Sequence, residues 1–583
     1  MTLPRVDIVL SGFAPVSFDL PIDWACDPYG SSLWLHHFFT LRWLRTELEP
    51  RPNGAGVGCS DAGQRVLLDF LDYHQHPSKP KSPYYMDRLG DATMAERVQL
   101  FAEVYGTANL DGGLREALLR STHMHLDRLV NAEIYRPQTN HGLMIDRAIL
   151  VATHAMPSVD PDGSRKRAAI ERAEAQIDWL FTAEAVTREH SVSYQEYNLG
   201  ICLQLLETLD RVGGAARLGE KLRRVLEAGQ EFLAYALDHA GRYVPLGDSF
   251  REPNPQISRA FRARGVLGDS FARGLAAQPR LELADVALLA YPDAGFAFLQ
   301  RAAAQTLTRL SITASWHSEI HKQRDDASFV LSYADQELLV DAGFSDRRVE
   351  SQEGKRSRSE WAHNVVVCPT RPWRTYARGE DLKPYTRLVG YHAGRDAVAV
   401  RAQHRRVEGV LMTRTLALLG ANALLVVDEV TTQEQAEFVQ LFHLAPDLSV
   451  SNARPGLDEV RDAAGNLRAT VAAYPPRDER SAAEVDAQLI AFRWRDRSEI
   501  EATTCLAYAA KSDGNNPLVF AKLISFGAGV EANAPGLLEL RQLELPQHGV
   551  IDLVVSEGDI LRSLRLELGP LPTGTLRCSR ARL

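Results

Sequence analysis

Apolar positions recur with a helical period through the first half of the chain. In RKRAAIERAEAQIDWLF, Ile170, Ala173, Ile177, Leu180 and Phe181 fall on one face. In YNLGICLQLLETLDRVGG, Leu199, Cys202, Leu203, Leu206 and Leu209 do the same, and Gly213 is a natural stop. Polar or Gly/Pro-bearing connections such as Pro161-Asp162-Gly163-Ser164 separate these runs, which predicts a string of antiparallel helical hairpins from about Leu33 to about Gln300. Beyond about Arg301 the period drops to two. Phe329, Leu331 and Tyr333 alternate with Val330 and Ser332, and LALLGANALLVVDEV reads as two strands joined around Gly420-Ala421-Asn422. No helices alternate with these strands, so antiparallel sheets packed as a sandwich are expected. Pro292-Asp293-Ala294-Gly295 marks the junction, giving a helical domain over 1–300 and a β domain over 301–583.

At 583 residues the chain exceeds one ordinary core, and about two to four domains are expected. An apolar share of 45% is that of a globular protein. The formal net charge of −9 gives no support to a nucleic-acid or anionic-membrane partner, although a cleft can still be locally basic. Six cysteines stand singly with no CxxC pair, which reads as reduced thiols rather than a disulfide frame or zinc knuckle. The N-terminus lacks a basic start and apolar run, and no stretch is long enough to span a bilayer. As written the chain is expected in the cytoplasm, or in the periplasm or outside the cell if a leader has been removed.

Three segments concentrate polar residues of catalytic type. Thr139-Asn140-His141-Gly142 precedes a helical run, and Asn140 by itself reads as an N-cap. Glu189-His190-Ser191-Val192-Ser193-Tyr194-Gln195-Glu196-Tyr197-Asn198 leads into the next amphipathic helix, and by itself reads as a capped start with two rim tyrosines. Trp316-His317-Ser318-Glu319-Ile320-His321-Lys322-Gln323-Arg324-Asp325-Asp326 by itself reads as a solvated charged loop.

Their order carries more than any one of them. Asn140-His141-Gly142, Glu189-His190-Ser191-Val192-Ser193-Tyr194, His321-Lys322-Gln323-Arg324-Asp325, Val340-Asp341-Ala342-Gly343 and Arg358-Ser359-Glu360-Trp361-Ala362-His363-Asn364-Val365-Val366 are collinear with the motifs of the heparinase II/III-like polysaccharide lyases, which the chain resembles from about residue 80 to beyond 440. Leu246-Gly247-Asp248-Ser249 and Phe442-His443-Leu444 are similar to that family as well. The resemblance implies an α+β multidomain fold, an N-terminal incomplete (α/α) toroid followed by a C-terminal antiparallel β-sandwich. It also implies a lyase that breaks a uronic-acid-containing polymer by β-elimination and leaves a 4,5-unsaturated uronate end.

That reaction removes the weakly acidic proton on C5 of a uronate and expels the C4 oxygen. The site must neutralise the carboxylate, and losing one fixed donor to developing charge costs roughly 3–4 kcal/mol of barrier. Asn140 and His141 supply donors, and the resemblance gives them this duty. It makes His321 and Tyr194 the base/acid pair, without deciding which takes the C5 proton. Tyr194 suits either task provided nearby cations lower its pKa from about 10, whereas His321 can serve as base at neutral pH without large tuning. With Asn140, His141 and Tyr194 in the helical half and His321 in the β half, a cleft between domains is expected. Arg97, Arg324 and Arg358 are candidates to hold carboxylate or sulfate groups, with Glu189 and Gln195 as further substrate contacts. Gln195 stands where many relatives have histidine.

No cofactor is needed for this chemistry. Some relatives carry a structural metal, and the positions matching its ligands are Gln323, Asp341 and His363. Gln323 departs from the zinc version, and its amide suits Mn²⁺ or Ca²⁺ better. Without a metal, Asp341 and His363 would hydrogen-bond and pin strands.

An α/α toroid also hosts glycoside hydrolases working through two carboxylates, for which Glu189 with Asp248 or Asp146 would serve. A non-catalytic glycan-binding or capsule-assembly protein is the other alternative. The expected substrate is an anionic polysaccharide or oligosaccharide, with glycosaminoglycans first and alginate or a bacterial capsular or exopolysaccharide next. Endo or exo action and oligomeric state have no sequence signature.

Overall fold

The computed structural model describes residues 5–10, 12–50, 57–75, 82–86, 90–253, 286–303, 306–346, 348–376, 380–475, 492–527, 538–557 and 560–579. The chain divides into two compact units, one formed by residues 1–180 with 200–225 and the other by 181–199 with 226–583.

The first unit is helical. Helices Asp91–Tyr105, Gly112–Leu129, Asn140–Ala155 and Ser164–Leu180 follow one another, and the first and third pack together, as do the third and fourth. In the fourth, Ala169, Ala173, Gln176, Ile177 and Leu180 are buried, so the inner face is rotated slightly from Ile170, which is half-buried. Helix Val192–Val212, whose residues 192–199 fall in the second unit, buries Leu199, Cys202, Leu203, Leu206 and Leu209 and stops at Gly213, whose φ of +69° favours glycine. Thr139, extended at φ −146°, is the N-cap residue of Asn140–Ala155, so Asn140 is the first helical residue rather than the cap.

The second unit is dominated by antiparallel strands. A six-stranded sheet runs in the order Leu576–Ser579, Val286–Tyr291, Phe296–Ala303, Thr306–Thr313, Phe329–Tyr333, Gln336–Leu339. Its strands therefore begin at Val286, ahead of Arg301, because Val286–Tyr291 is too short and continuously apolar to show a period of two. An eight-stranded sheet contains Ala397–His404, Val410–Leu419 and Ala423–Thr432 as consecutive neighbours. Leu419 pairs with Ala423 across the Gly420-Ala421-Asn422 turn, as the sequence predicts.

Alternation along these strands builds layers. Val398, Val400, Leu416, Leu418, Leu424 and Val426 join Leu310, Ile312, Phe329 and Leu331 of the six-stranded sheet in one core. Their neighbours Ala399, Ala417, Leu425 and Val427 face the other way and meet Ile551, Leu553 and Val555 of a three-stranded sheet. The eight-stranded sheet is thus buried on both faces, which is why LALLGANALLVVDEV is apolar almost throughout. Each such leucine or valine contributes about 1.5–3 kcal/mol by leaving water. None of the six cysteines forms a disulfide. No helix among the described residues is long and apolar enough to cross a membrane.

Candidate active site

In the helical unit, the turn before Asn140 is held from the Ser164–Leu180 helix. Gln176 accepts from the Gln138 amide at 2.8 Å and donates to the Tyr135 hydroxyl at 3.2 Å. A Cβ on Gly142 would lie 2.0 Å from Gln176 Nε2, so the Asn-His-Gly run ends in glycine to admit that side chain. Asn140 is buried. His141 keeps 37% of its side chain exposed, and its Nδ1 lies 3.0 Å from Oδ1 of Asp91. Asp91 opens the Asp91–Tyr105 helix, is fully buried, and also faces Arg136 Nε at 3.1 Å. Burial opposes its ionisation, but the His141 contact, the Ala92 amide and Arg136 outweigh it and hold the carboxyl below its ordinary range.

Arg97 has no access to substrate. It is 0% exposed, donates to His125 Nε2 at 3.0 Å and Phe39 O at 2.7 Å, also donates to Tyr85 O, and lies over the rings of Phe70 and Tyr85. A buried guanidinium with its donors engaged is a packing element, which corrects its expected anion-binding role.

In the second unit, Ser191 accepts from the Tyr194 amide at 3.3 Å and donates to the carbonyl of Asp248 at 2.7 Å, while Ser249 accepts from the Val192 amide at 2.9 Å. The Glu-His-Ser and Gly-Asp-Ser segments therefore set the start of the Tyr194 helix together. His190 sits at φ +57°, buried, donating from Nδ1 to Ile320 O at 2.9 Å and accepting at Nε2 from the amides of His317 and Ser318 at 3.0 and 3.2 Å. Burial pushes its pKa well down, so it is a neutral pin for the loop carrying His321. Gly247 packs in the same corner at φ +66°, where a Cβ would come within 2.3 Å of His190 O.

His321, also left-handed at φ +55°, lies flat on Tyr194 with ring centroids 3.4 Å apart and planes 16° apart. Asp248 collects the groups around this pair. Its carboxylate lies 3.6 Å from His321 Nδ1 and 3.3 Å from Arg358, and accepts from Gln323 Nε2 at 3.0 Å. Burial drives the Tyr194 phenol well above its ordinary pKa, and Glu189 and Asp248 add to the effect. The expectation that nearby cations lower the Tyr194 pKa is thereby reversed. Tyr197 lies 6.1 Å from Tyr194, ring to ring, and is exposed.

Glu189 and Gln195 are both buried. Glu189 accepts from Asn198 at 3.0 Å. Gln195 accepts from the Thr187 amide at 2.6 Å and donates to the carbonyls of Ala185 and Gly229 at 2.9 and 3.2 Å. Their expected contact with substrate is corrected to a structural one, since their polar atoms already face protein. Arg324 and Arg358 are different. They are 31% and 35% exposed and line a groove of about 310 Å³ with Lys355, Gln323 and Glu319.

The residues matching a metal set form a hydrogen-bonded network. His363 Nδ1 donates to Asp341 Oδ2 at 2.8 Å, Ser328 reaches the same oxygen at 3.2 Å, and Asn364 donates to Phe329 O and Val340 O. Gln323 Oε1 and His363 Nε2 are buried without a hydrogen-bond partner. Among the described residues no three His, Cys, Asp or Glu side chains converge to hold a metal ion. Beside the Asp341 carboxylate the set offers one imidazole and one amide, fewer nitrogen or sulfur ligands than the Cys- and His-built structural zinc sites.

Asp91, Arg136 and the pinning role of His190 escaped the sequence reading. Asp91 looks there like any acidic residue favouring a helix start, and its meeting with His141 depends on how two helices pack.

Residues 285–517 match the family model described as heparinase II/III-like, C-terminal. No curated protein matches the chain by sequence. Among solved structures, heparan sulfate lyase HepC from Pedobacter heparinus is similar at a TM-score of 0.67 and 13% identity, over 96% of this chain and 86% of that one. A structure of heparinase III gives 0.72 and 12%, over 94% and 85%. At these identities the likeness is one of fold. The β half of this chain contains a heparinase II/III-like C-terminal domain, in a chain with the fold of the heparinase III structures.

Proposed function

We propose that the protein is a polysaccharide lyase acting on an anionic, uronate-containing glycan by β-elimination. The stacked Tyr194–His321 pair beside the Asp248 carboxylate carries this reading. The phenol, held protonated by its surroundings, is equipped to hand a proton to the leaving C4 oxygen. His321, with a carboxylate at hand for the imidazolium it would become, takes the C5 proton. Asn140 and His141 are donors of the kind that neutralise a uronate carboxylate. Arg324 and Arg358 line the groove that receives further anionic groups of the chain.

A base and an acid stacked ring on ring approach the sugar from one side. That supports a syn elimination, in which the C5 proton and the C4 oxygen leave one face, as in 4-linked D-glucuronate. A hydrolase would need two carboxylates able to reach the glycosidic bond. Asp146 is held by Tyr135 and Arg172, and Glu189 by Asn198, both in buried positions.

The test is ultraviolet absorbance during incubation with heparan sulfate, heparin, chondroitin sulfates, hyaluronan and alginate. A rise reports the C4–C5 double bond and names the substrate class. New reducing ends without absorbance would point instead to hydrolysis.

A further inference from the structure

Asp91 accepts from His141 at 3.0 Å, and because its carboxyl is ionised it can only accept. His141 Nδ1 must then carry the hydrogen. Nε2 is left as the atom free to meet a ligand, on a side chain 37% exposed. Asp91 itself is fixed. It is fully buried, its charge sits at a helix N-terminus, its Oδ1 accepts from the Ala92 amide at 2.7 Å, and Arg136 Nε flanks its other oxygen at 3.1 Å. A carboxylate so placed holds an imidazole in one tautomer and orientation. His36 also interacts with His141, and in turn with His37 and Arg42. His36 is bound through Nδ1 to Thr93 at 2.8 Å and kept neutral by burial, with a pKa pushed down to about 3.

We propose that Asp91 is the positioning residue of His141: it holds Nδ1–H and orients the ring so that Nε2 faces the substrate carboxylate and, when it carries the second proton, donates to it. The assignment rests on the lyase reading for its consequence in turnover, though not for the tautomer itself.

Selective ¹⁵N labelling of histidine reads the tautomer directly. In the intact protein the His141 signals report Nδ1–H, and in Asp91→Ala they move to the Nε2–H form that a free imidazole prefers. Kinetically, Asp91→Ala lowers kcat about ten- to a hundredfold with KM within about threefold, less than the 10²–10³-fold expected for losing the donor itself. Added to His141→Ala, it costs less than about a further twofold. Should Asp91→Ala not fold, Asp91→Asn keeps the shape, and its amide, able to donate or accept, lets both tautomers appear. An unchanged tautomer in the folded variant, or an additive loss in the His141→Ala background, overturns the proposal. Absence of elimination by the intact protein on any glycan defeats the lyase reading instead, and the nitrogen signals still decide what Asp91 does.

Discussion

The imidazole of His321 lies on the ring of Tyr194 with centroids 3.4 Å apart, while its Nδ1 faces Asp248 at 3.6 Å. Neither residue is oriented by its own element alone. Tyr194 is aimed by a helix start that Ser191 and Ser249 cap, and His321 by a left-handed turn that His190 pins.

Removing the phenolic oxygen removes the proposed acid without disturbing the stack. Tyr194→Phe is expected to lower kcat by about 10²–10⁴-fold and leave glycan affinity within about threefold. Affinity is read by calorimetry and turnover by absorbance. A variant that keeps more than a tenth of the activity would move the acid elsewhere.

The one-sided base and acid predict a stereochemical preference. Glycans whose uronates are all D-glucuronate, such as hyaluronan or unsulfated heparosan, should be cleaved in preference to iduronate-rich dermatan sulfate, where the proton and the leaving oxygen lie on opposite faces. Equal rates on both would rule out a strictly syn site.

Gly247 has a φ of +66° and no room for a methyl group beside His190 O. Gly247→Ala is expected to cost at least about 1–3 kcal/mol in left-handed strain alone, with further loss from the clash. Activity should fall beyond the loss of folded protein, because the displaced backbone is that of His190 and His321. Urea denaturation followed by kinetics on the folded fraction checks both effects.

Glu337 meets Arg251 through two bonds of 2.8 and 3.0 Å and Arg493 at 2.8 Å. Burial alone would raise its pKa, but the two arginines outweigh that and bring it down to about 2. A depressed carboxyl stabilises the fold above its unfolded pKa, and that contribution is lost as pH falls through the folded value. Stability should therefore decline between about pH 4.5 and pH 2, and Glu337→Gln should flatten that part of the decline. At neutral pH the same change should cost about 1.5–3 kcal/mol by weakening the charge-assisted bonds to Arg251 and Arg493, which keep Asp238 and Glu501 as partners, read from the denaturant midpoint.

Much of this was legible along the chain because it depends on short-range periodicity. The helical faces, the stop at Gly213 and the Gly420 hairpin follow from local preferences, and the helix-then-strand order follows from the change of period. The site was legible as an order of motifs but not as a set of contacts. Arg97, Glu189 and Gln195 have the chemistry of ligand-binding residues, and nothing beside them in sequence shows that Phe39, Asn198 or Thr187 already engages them. Burial is set by residues far away in the chain.

The sequence by itself determined the helical and β halves, the antiparallel strands and the residue types available for proton transfer and anion neutralisation. Tertiary structure decided which of those residues are free to act. It buried Arg97 among aromatic rings, turned His190 into a pin, gave His141 a carboxylate from the start of another helix, and laid His321 on Tyr194. The physical reason is that periodicity is a property of neighbours a few residues apart, whereas solvation, charge pairing and orientation depend on whatever the fold brings within about 4 Å.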